Sequence, residues 1–260
     1  MTGRRLDLEL VHRQLASSRN VAQRLVAEGK VLVNEHPARR PSSMVTPKDR
    51  IRVTEQERWV SRAALKLLGV LDEVDPDNSL FADGPVVLDA GASTGGFTQV
   101  CLQRGARLVH AFDVGHDQLD ESLRRDPRVH QIDGFNLRGL TLDDLPAPVD
   151  LVVCDVSFIS VRLLLGPLLS VLRPEGHALV MVKPQFEVGR GRLGPGGVVL
   201  DPVLQREAVE AVRADATALG WASTEPRPAS ITGASGNQEF FVLLGRSEGG
   251  IDPLLVISGR

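Results

Sequence analysis

The sequence has no tyrosine, few aromatic residues of any kind, two cysteines and no long hydrophobic run. Because no stretch of about 18 apolar residues is present, we expect no membrane-spanning helix, and the polar start MTGRRLDLELVHRQL is not typical of a signal peptide. Cys101 and Cys154 lie in apolar surroundings without metal-ligand spacing, which predicts reduced, buried thiols, a cytoplasmic protein and no metal site. An aromatic content of 4% argues against binding nucleic acid through stacked bases.

Charge is distributed unevenly along the 260 residues, although the net charge is only −3. Residues 1–60 contain 12 Lys and Arg against 7 Asp and Glu, whereas the remainder contains 18 and 26. A small basic head on a larger acidic body predicts an appendage that binds a polyanion. The alternative is an ordinary solvated basic surface.

The basic head has the pattern of two helices followed by a very small sheet. Apolar positions predict a buried face on the first helix and helical spacing on the second, which Ser17 or Ser18 could cap and Gly29 ends. VLVN and DRIRV are typical of short strands, with a turn at HPARRPS between them. The first-helix positions are Leu6, Leu8, Leu10, Val11 and Leu15, and those of the second are Val21, Leu25 and Val26. Basic residues bunched on this head would contact phosphates rather than bases; the candidates are Arg4, Arg19, Arg24, Lys30, Arg39 and Arg40.

From Pro85 onward, strand-like and helix-like segments alternate, with predicted helices that include DQLDESLRRD and, over residues 159–174, ISVRLLLGPLLSVLRP, and the chain ends in a hairpin pattern. This alternation predicts an α/β fold with a doubly wound, Rossmann-like parallel sheet and helices on both faces. We therefore expect an α+β head over residues 1–56, a linker over 57–62, with Ser61 able to cap the next helix, and an α/β body over 63–260. Ligands bind such sheets at the carboxyl ends of the strands.

The stretch VVLDAGASTGGFTQV places a glycine-rich turn between a strand and a helix. Ser93 stands where a pyrophosphate-binding loop needs its second glycine, which argues against a dinucleotide. S-adenosylmethionine has no phosphate and needs only a turn that can hold its carboxylate. Asp113 ends the next strand, where an acid would hold ribose hydroxyls in either cofactor.

Four further residues predict the chemistry: Lys66, Asp155, Lys183 and Glu239. The last three lie at strand ends that should meet at one sheet edge, above the cofactor. A ribose 2′-hydroxyl must lose its proton as a methyl group arrives, and a lysine with a lowered pKa can accept it. Lys183 is the candidate base, Asp155 would position it, Glu239 would support the site and Lys66 would steer the ribose. The competing interpretation is a set of unrelated salt bridges.

Several motifs carry a resemblance to known families. RLDLELV, SSRNVAQRLVAEGKVLVN, RRPS and DRIRV resemble the S4 RNA-binding domain. The body resembles FtsJ-type RNA ribose 2′-O-methyltransferases with their Lys-Asp-Lys-Glu set, and the whole chain resembles the TlyA family, also named hemolysin A. The motifs of that wider resemblance are WVSRAALKL, LDAGASTGGFTQVCLQRGA, DVGHDQL, DPRVH, DLVVCDVSFIS, VKPQFEVGR and GNQEFF.

The resemblance implies S-adenosylmethionine as methyl donor and a cytidine ribose in small- and large-subunit ribosomal RNA as target. It also implies a link to sensitivity towards capreomycin-type antibiotics. The implied cofactor-binding residues are Asp89, Gly91, Ser93, Thr94, Gly95, Gly96, Phe97, Asp113, Val114, His116, Asp133, Asn136 and Asp155.

The chain departs from the family pattern at several positions. Glu35 and Ala63 stand where glycine is usual, and His116 replaces a tyrosine expected near the adenine. QIDGFNLR replaces an acidic-Arg-Thr-Asn stretch, so that Asp133 would supply the contact to the adenine amino group. These changes concern cofactor affinity and the target more than the reaction type.

Three rival functions remain open at the level of sequence. A nicotinamide-dependent dehydrogenase would use a similar sheet, a membrane-active protein would fit the hemolysin name, and an RNA-binding protein with a weak methyltransferase body would fit the departures at His116 and Asp133. The loop over residues 186–199, rich in glycine and arginine, is predicted to be mobile and to close over RNA.

Overall fold

The computed structural model describes residues 3–13, 15–16, 19–54 and 59–246, and the chain divides into two compact units, Met1–Ser61 and Arg62–Arg260. The predicted caps Ser17 and Ser18 and the first two residues of the predicted linker lie outside the described residues. In the described part of the chain, no helix is both long and apolar enough to cross a membrane.

Within its described residues, the N-terminal unit contains two helices and two small antiparallel sheets. One sheet pairs β1 with β4, and the other has the order β3-β2-β5. Its elements are β1 (Arg4–Arg5), α1 (Leu6–His12), α2 (Arg19–Ala27), β2 (Val31–Val33), β3 (His36–Pro37), β4 (Met44–Val45) and β5 (Ile51–Val53).

The core of this unit lies between α1 and α2. Leu6 and Leu10 of α1 are fully buried against Leu25 and Val26 of α2. Leu8, which the sequence pattern placed on the same buried face, is 42% exposed. That prediction was wrong because residues two apart on a helix point in nearly opposite directions, whereas residues four apart share a face.

The turn between β2 and β3 comes earlier than the sequence predicted. Asn34 and Glu35 form it with positive φ angles of 52° and 66°, and His36–Pro37, expected to be part of a turn, pairs with β2 as a strand. A two-residue hairpin with both central φ angles positive favours Asn-Gly. Glu35 therefore stands in a left-handed conformation that glycine would adopt more easily.

In its described residues, the C-terminal unit forms one sheet. Seven strands lie side by side, and one further short strand, β12, pairs with β13. The strand order is β11-β13-β10-β9-β6-β7-β8; β6 to β10 are parallel, and β13 is antiparallel to β10, β11 and β12. Its elements are α3 (Ala63–Val74), β6 (Val86–Ala90), α4 (Gly96–Arg104), β7 (Leu108–Phe112), α5 (Glu121–Arg124), β8 (Val129–Ile132), β9 (Val149–Cys154), α6 (Leu165–Ser170), β10 (Leu172–Val182), α7 (Pro184–Glu187), α8 (Pro202–Ala218), β11 (Trp221–Ser223), β12 (Arg227–Pro228) and β13 (Phe240–Arg246). The predicted mostly parallel α/β sheet and its final antiparallel pairing are confirmed.

Three helix predictions needed correction. α5 is a single turn, because the Asp120 side chain caps it by accepting from the Ser122 N–H and Pro127 prevents its extension. The long helix expected over residues 159–174 is a 3₁₀ turn and the short α6, followed directly by β10. Ser61 does not cap α3, which begins without a side-chain cap.

The central strands are buried on both faces, as parallel strands between helix layers must be. Leu88, Val152 and Val180 of β6, β9 and β10 are fully buried in one cluster. These runs are mostly apolar, with Asp89 in β6 and His110 in β7 as buried polar exceptions, and the residues predicted to be catalytic follow or precede the strands.

Candidate active site

The predicted catalytic residues meet at one edge of the sheet. Asp155 directly follows β9 and Lys183 directly follows β10, at the carboxyl ends of two neighbouring parallel strands. Glu239 precedes the antiparallel β13, whose Phe240 pairs with Val182. The pairing of Val182, the last residue of β10, with Phe240, the first residue of β13, therefore brings Lys183 and Glu239 to adjacent positions.

Lys183 and Asp155 form one ion pair. The Lys183 Nζ atom lies 2.6 Å from Oδ1 of Asp155 and donates a hydrogen bond of 2.8 Å to Oγ of Ser157. Lys183 is only 8% exposed. Because burial removes most of the water that would solvate the ammonium, the carboxylate is its main compensating charge.

Lys66 and Glu239 form the second pair. Lys66 lies on the face of α3 that also buries Leu67 and Val70, and its Nζ donates to Oε2 of Glu239. Gly233 packs against this carboxylate, since a Cβ atom there would lie 2.7 Å from Oε1. The four residues predicted from sequence therefore form two buried lysine–carboxylate pairs.

The use of lysine at these positions is itself a signal. The chain contains 26 arginines and only four lysines, and two of the four lie in these pairs. An arginine guanidinium stays protonated in proteins, whereas a lysine amine can lose its proton. A chain that otherwise uses arginine for positive charge thus has lysine where proton exchange would be needed.

A cleft of about 610 Å³ opens beside Asp155. Among the predicted cofactor-binding residues it is lined by Gly91, Ser93, Asp113, Val114, Asn136 and Asp155. The cleft therefore lies where the carboxyl ends of β6, β7, β8 and β9 converge.

The glycine-rich turn is held tightly against the neighbouring strand end. Gly91 has φ +87°, and a Cβ atom there would lie 2.8 Å from the Asp155 carbonyl oxygen. The backbone N–H groups of Ser93 and Gly115 donate to the two carboxylate oxygens of Asp113, at 2.8 and 2.7 Å. Asp113 is thus fixed at the cleft with its charge oriented by backbone donors.

Asp89 lies beneath the cleft and does not line it. It is fully buried, and its Oδ2 accepts a 2.6 Å hydrogen bond from Thr98 Oγ1. In the described part of the chain, its Oδ1 has no hydrogen-bond partner. Burial raises the pKa of Asp89 to about 7, because desolvation disfavours the ionised carboxylate.

The remaining predicted residues of the glycine-rich segment lie at or near the start of α4 and do not line the cleft. Phe97 is buried, with its ring stacked 6.1 Å from that of Phe241, and Thr94 is exposed without lining the cleft. Gly95 has φ +92° and leaves room for Leu119 and Leu123, and Gly96 begins α4.

His116 and Asp133 also lie outside the cleft lining. His116 is exposed with its ring against Gly134, where a Cβ atom would lie 2.6 Å from the imidazole. The Asp133 carboxylate accepts from Gln131 Nε2 and the Asp117 N–H, which lowers its pKa.

Several lining residues were not predicted from the sequence. All but Leu164 lie within four positions of a predicted residue, which is a signal that could have found them: Gly115, Gln118, Phe135, Leu137, Arg138, Val156, Ser157, Phe158, Ile159 and Leu164. Phe158 is 92% exposed at φ +66°, with its ring 5.5 Å from that of Phe186. Among the described residues, no cluster of three or more His, Cys, Asp or Glu side chains could hold a metal ion.

The loop over residues 186–199 is anchored at its end by Asn237. This asparagine is 2% exposed; its Oδ1 accepts from the Val199 N–H and its Nδ2 donates to the Gly197 carbonyl. Earlier in the loop, Arg192 pairs with Glu207 of α8. The predicted mobility of this loop and its closure over RNA stay predictions.

The candidate phosphate contacts of the N-terminal unit fall into two groups. Arg4, Arg19 and Lys30 form ion pairs with Glu9, Asp7 and Glu28, and Arg24 is half-buried. Arg39 and Arg40 are exposed and have no ion pair within the described ranges. These two are therefore the cations most available to a polyanion.

Comparisons with known proteins agree with this division. Residues 59–246 match the FtsJ-like methyltransferase family and residues 4–51 match the S4 domain. The chain is 47% identical over 242 residues to the 16S/23S rRNA (cytidine-2′-O)-methyltransferase TlyA of Mycobacterium tuberculosis, covering 92% of this chain and 89% of the relative. It is 32% identical to the 23S rRNA (cytidine-2′-O)-methyltransferase TlyA of Campylobacter jejuni over 89% of this chain and 95% of the relative. A solved hemolysin-type protein from Streptococcus thermophilus matches with a TM-score of 0.72 and 32% identity, covering 99% of this chain and 95% of that one.

Proposed function

Because the chain belongs to the TlyA family of FtsJ-like methyltransferases, we propose that it transfers a methyl group from S-adenosylmethionine to the ribose 2′-hydroxyl of a cytidine in ribosomal RNA. The observation that carries this proposal is the pair of buried lysine–carboxylate contacts, Lys183–Asp155 and Lys66–Glu239, at the sheet edge beside the cleft. Residues 1–56 would be the S4-like RNA-binding domain, 57–62 the linker and 63–260 the methyltransferase domain.

The cleft residues fit S-adenosylmethionine. Asp113 presents a carboxylate, oriented by two backbone N–H groups, that suits ribose hydroxyls. Gly91 lets the turn pack against the Asp155 backbone while it lines the cleft, which keeps the turn close to the bound ligand. Val114 and Asn136, which also line the cleft, would contact the adenine ring, and Asp155 would face the cationic methionine end.

The proposed mechanism assigns the proton to Lys183. S-adenosylmethionine, when bound, supplies an electrophilic methyl group. Lys183 acts in its neutral form, after it has released a proton to solvent; its Nζ then accepts the proton of the target 2′-hydroxyl, and the Asp155 carboxylate at 2.6 Å stabilises the ammonium that forms. Lys66, held by Glu239, orients the ribose through hydrogen bonds. General base catalysis of this kind contributes about 10²- to 10⁴-fold in rate.

The N-terminal unit would hold the RNA through phosphates, with Arg39 and Arg40 as the most available of the cations predicted from the sequence. The relative from M. tuberculosis acts on 16S and 23S rRNA and the one from C. jejuni on 23S rRNA. We therefore propose ribosomal RNA of one or both subunits as the substrate, and the cytoplasm, where ribosomal subunits are found, as the place of action.

The test uses purified full-length protein, tritiated S-adenosylmethionine, and separated 30S and 50S subunits from cells that lack this modification. We expect tritium in RNA, recovered as 2′-O-methylcytidine by mass spectrometry of nucleosides, and its loss in the Lys183→Ala variant. Arg125→Ala, which removes a 78% exposed cation of the same unit, is the matched control and should retain full activity.

The outcomes separate the alternatives. Methylation of a base, or transfer unaffected by Lys183→Ala, would contradict the proposed reaction. Cofactor binding by calorimetry without transfer to either subunit would contradict the proposed substrate. RNA binding without cofactor binding would favour the alternative of an RNA-binding protein with a catalytically weak body.

We also propose the link to capreomycin that the family resemblance implies. Deleting the gene in its host should raise the concentration of capreomycin needed to stop growth, and only the wild-type gene, not Lys183→Ala, should restore sensitivity. Unchanged sensitivity in a strain whose ribosomal RNA has lost the methyl group would contradict the proposed link to capreomycin but not the proposed reaction.

A further inference from the structure

We propose that Ser157 is a positioning residue that sets the direction of the Lys183 amine. This inference rests on the proposed function and deepens it, because it concerns how the proposed base is aimed. Ser157 lines the cleft and follows Asp155 by two residues, so one short segment after β9 brings both a carboxylate and a hydroxyl to Lys183.

The two contacts of Lys183 differ in kind. Its contact with Ser157 Oγ measures 2.8 Å and has the distance and angles of a hydrogen bond. The Asp155 Oδ1 atom lies closer, at 2.6 Å, but within the described residues it accepts no aligned hydrogen bond. Asp155 therefore contributes mainly charge, which is insensitive to angle, whereas Ser157 contributes the directional contact.

The orientation of the Lys183 amine matters because a neutral amine has two N–H groups and one lone pair. The amine turns freely about the Cε–Nζ bond unless a partner holds one of its hydrogens, and only the lone pair can accept the substrate proton. When Ser157 accepts one N–H, rotation about that bond is restricted and the lone pair is confined to the remaining tetrahedral positions. A base held in one orientation reacts faster than one that must be reoriented at each encounter.

The hydroxyl also favours the protonated amine. A hydrogen-bond acceptor stabilises the ammonium more than the neutral amine, because the ammonium is the stronger donor. Removing the Ser157 hydroxyl should therefore change both the rate of methyl transfer and the pH dependence of that rate. Substituting a residue that only lines the cleft would not change both.

The experiment compares Ser157→Ala and Ser157→Thr with the wild type in full-length protein. Single-turnover methyl transfer from tritiated S-adenosylmethionine is measured against pH, and cofactor affinity by calorimetry. The chain has only four lysines, so ¹³Cε-lysine NMR gives four signals, and the one missing in Lys183→Arg identifies Lys183.

We expect Ser157→Ala to lower the single-turnover rate about tenfold, with cofactor affinity within about twofold of wild type. The acidic limb of its pH profile and the Lys183 NMR titration should both move to lower pH. Ser157→Thr, which keeps the hydroxyl, should restore most of the rate and both pH responses.

An unchanged rate and pH profile in Ser157→Ala would overturn the inference, and so would a loss confined to cofactor affinity or an equal defect in Ser157→Thr. If the wild type methylates neither subunit, the proposed function fails. The NMR titration still tests the contact in that case, since it requires no turnover.

Discussion

In the N-terminal unit, buried carboxylates are surrounded by arginines, whereas in the C-terminal unit the ion pairs beside the cleft use lysines. Asp7 is fully buried and accepts from Arg5 and Arg19, while Asp155 and Glu239 pair with Lys183 and Lys66. A guanidinium that stays protonated suits a fixed structural contact and a phosphate surface. An amine that can release its proton suits proton transfer, which fits the proposed catalytic role of the Lys183 pair.

The two units also differ in a second way: Asp89 of the C-terminal unit is a buried acid that, unlike Asp7, forms no ion pair among the described residues. The hydrogen bond from Arg5 holds the pKa of Asp7 well below its usual range, whereas burial raises the pKa of Asp89 to about 7. Both carboxylates are fully buried, and their opposite shifts follow from the presence or absence of an adjacent positive charge.

The largest expected effect comes from exchanging lysine for arginine at the proposed base. Lys183→Arg keeps the positive charge beside Asp155 but cannot accept a proton, so single-turnover methyl transfer should fall about 10³-fold. The same measurement on Arg5→Lys in the N-terminal unit, at saturating RNA, should give the wild-type rate. A rate for Lys183→Arg within tenfold of wild type would exclude Lys183 as the base.

The next prediction is that Asp89 and Asp7 contribute to the stability of the fold with opposite dependence on pH. The folded-state pKa of Asp89 lies above its unfolded value of 3.8, so its contribution to stability is full below about pH 4 and is lost as the pH rises through 7. Asp7 has the opposite sign, with a contribution present above about pH 4 that is lost as the pH falls.

The Asp89→Asn variant should lack the part of the loss of stability at high pH that comes from ionisation of Asp89. Between pH 5 and pH 8.5 its free energy of unfolding should fall by about 2 kcal/mol less than that of the wild type, as measured by urea unfolding followed by tryptophan fluorescence. His110, whose pKa burial lowers to about 4, also makes stability pH-dependent but contributes equally to both proteins. Parallel pH curves for the two proteins would contradict the assignment.

A smaller effect is expected from the cations of the N-terminal unit. Removing Arg39 and Arg40 together should weaken binding to a ribosomal RNA fragment about tenfold and reduce the slope of log affinity against log salt by about 2, since each lost phosphate contact removes about 1. Fluorescence anisotropy over a salt series measures both. Arg19→Ala, which removes a cation already paired with Asp7, should change the slope less, and a larger change there would reverse the ranking.

The smallest expected effect concerns the β2–β3 hairpin. Glu35→Gly removes a left-handed glutamate but also an exposed ion pair of 3.0 Å with Arg52. Relief of the backbone strain should exceed the loss of the exposed ion pair, which solvent screens. The β2 amides should therefore exchange slightly more slowly with deuterium. Glu35→Gln, which keeps the strain and loses the pair, is the control and should exchange slightly faster.

Periodicity along the chain was enough to predict the two helices of the N-terminal unit and the alternation of the C-terminal unit, because apolar patterns and turn residues are local properties, but it missed the two-residue strands β1, β3 and β4. It was less reliable where tertiary pairing competes with local preference, as at His36–Pro37, which joins a strand, and at Leu172, where β10 begins inside a predicted helix. Phe97, in the predicted cofactor motif, packs against Phe241 instead of lining the cleft.

The sequence by itself determined the parallel α/β sheet, the glycine-rich turn and the placement of Asp155 and Lys183 at strand ends, since strand periodicity and glycine conformation depend on neighbouring residues. Only the tertiary structure decided which charges pair. Lys66 reaches Glu239 across 173 positions of sequence, and Ser157 rather than Asp155 makes the aligned contact with Lys183. Distances between side chains on separate strands depend on how the sheet brings those strands together, which no local pattern encodes.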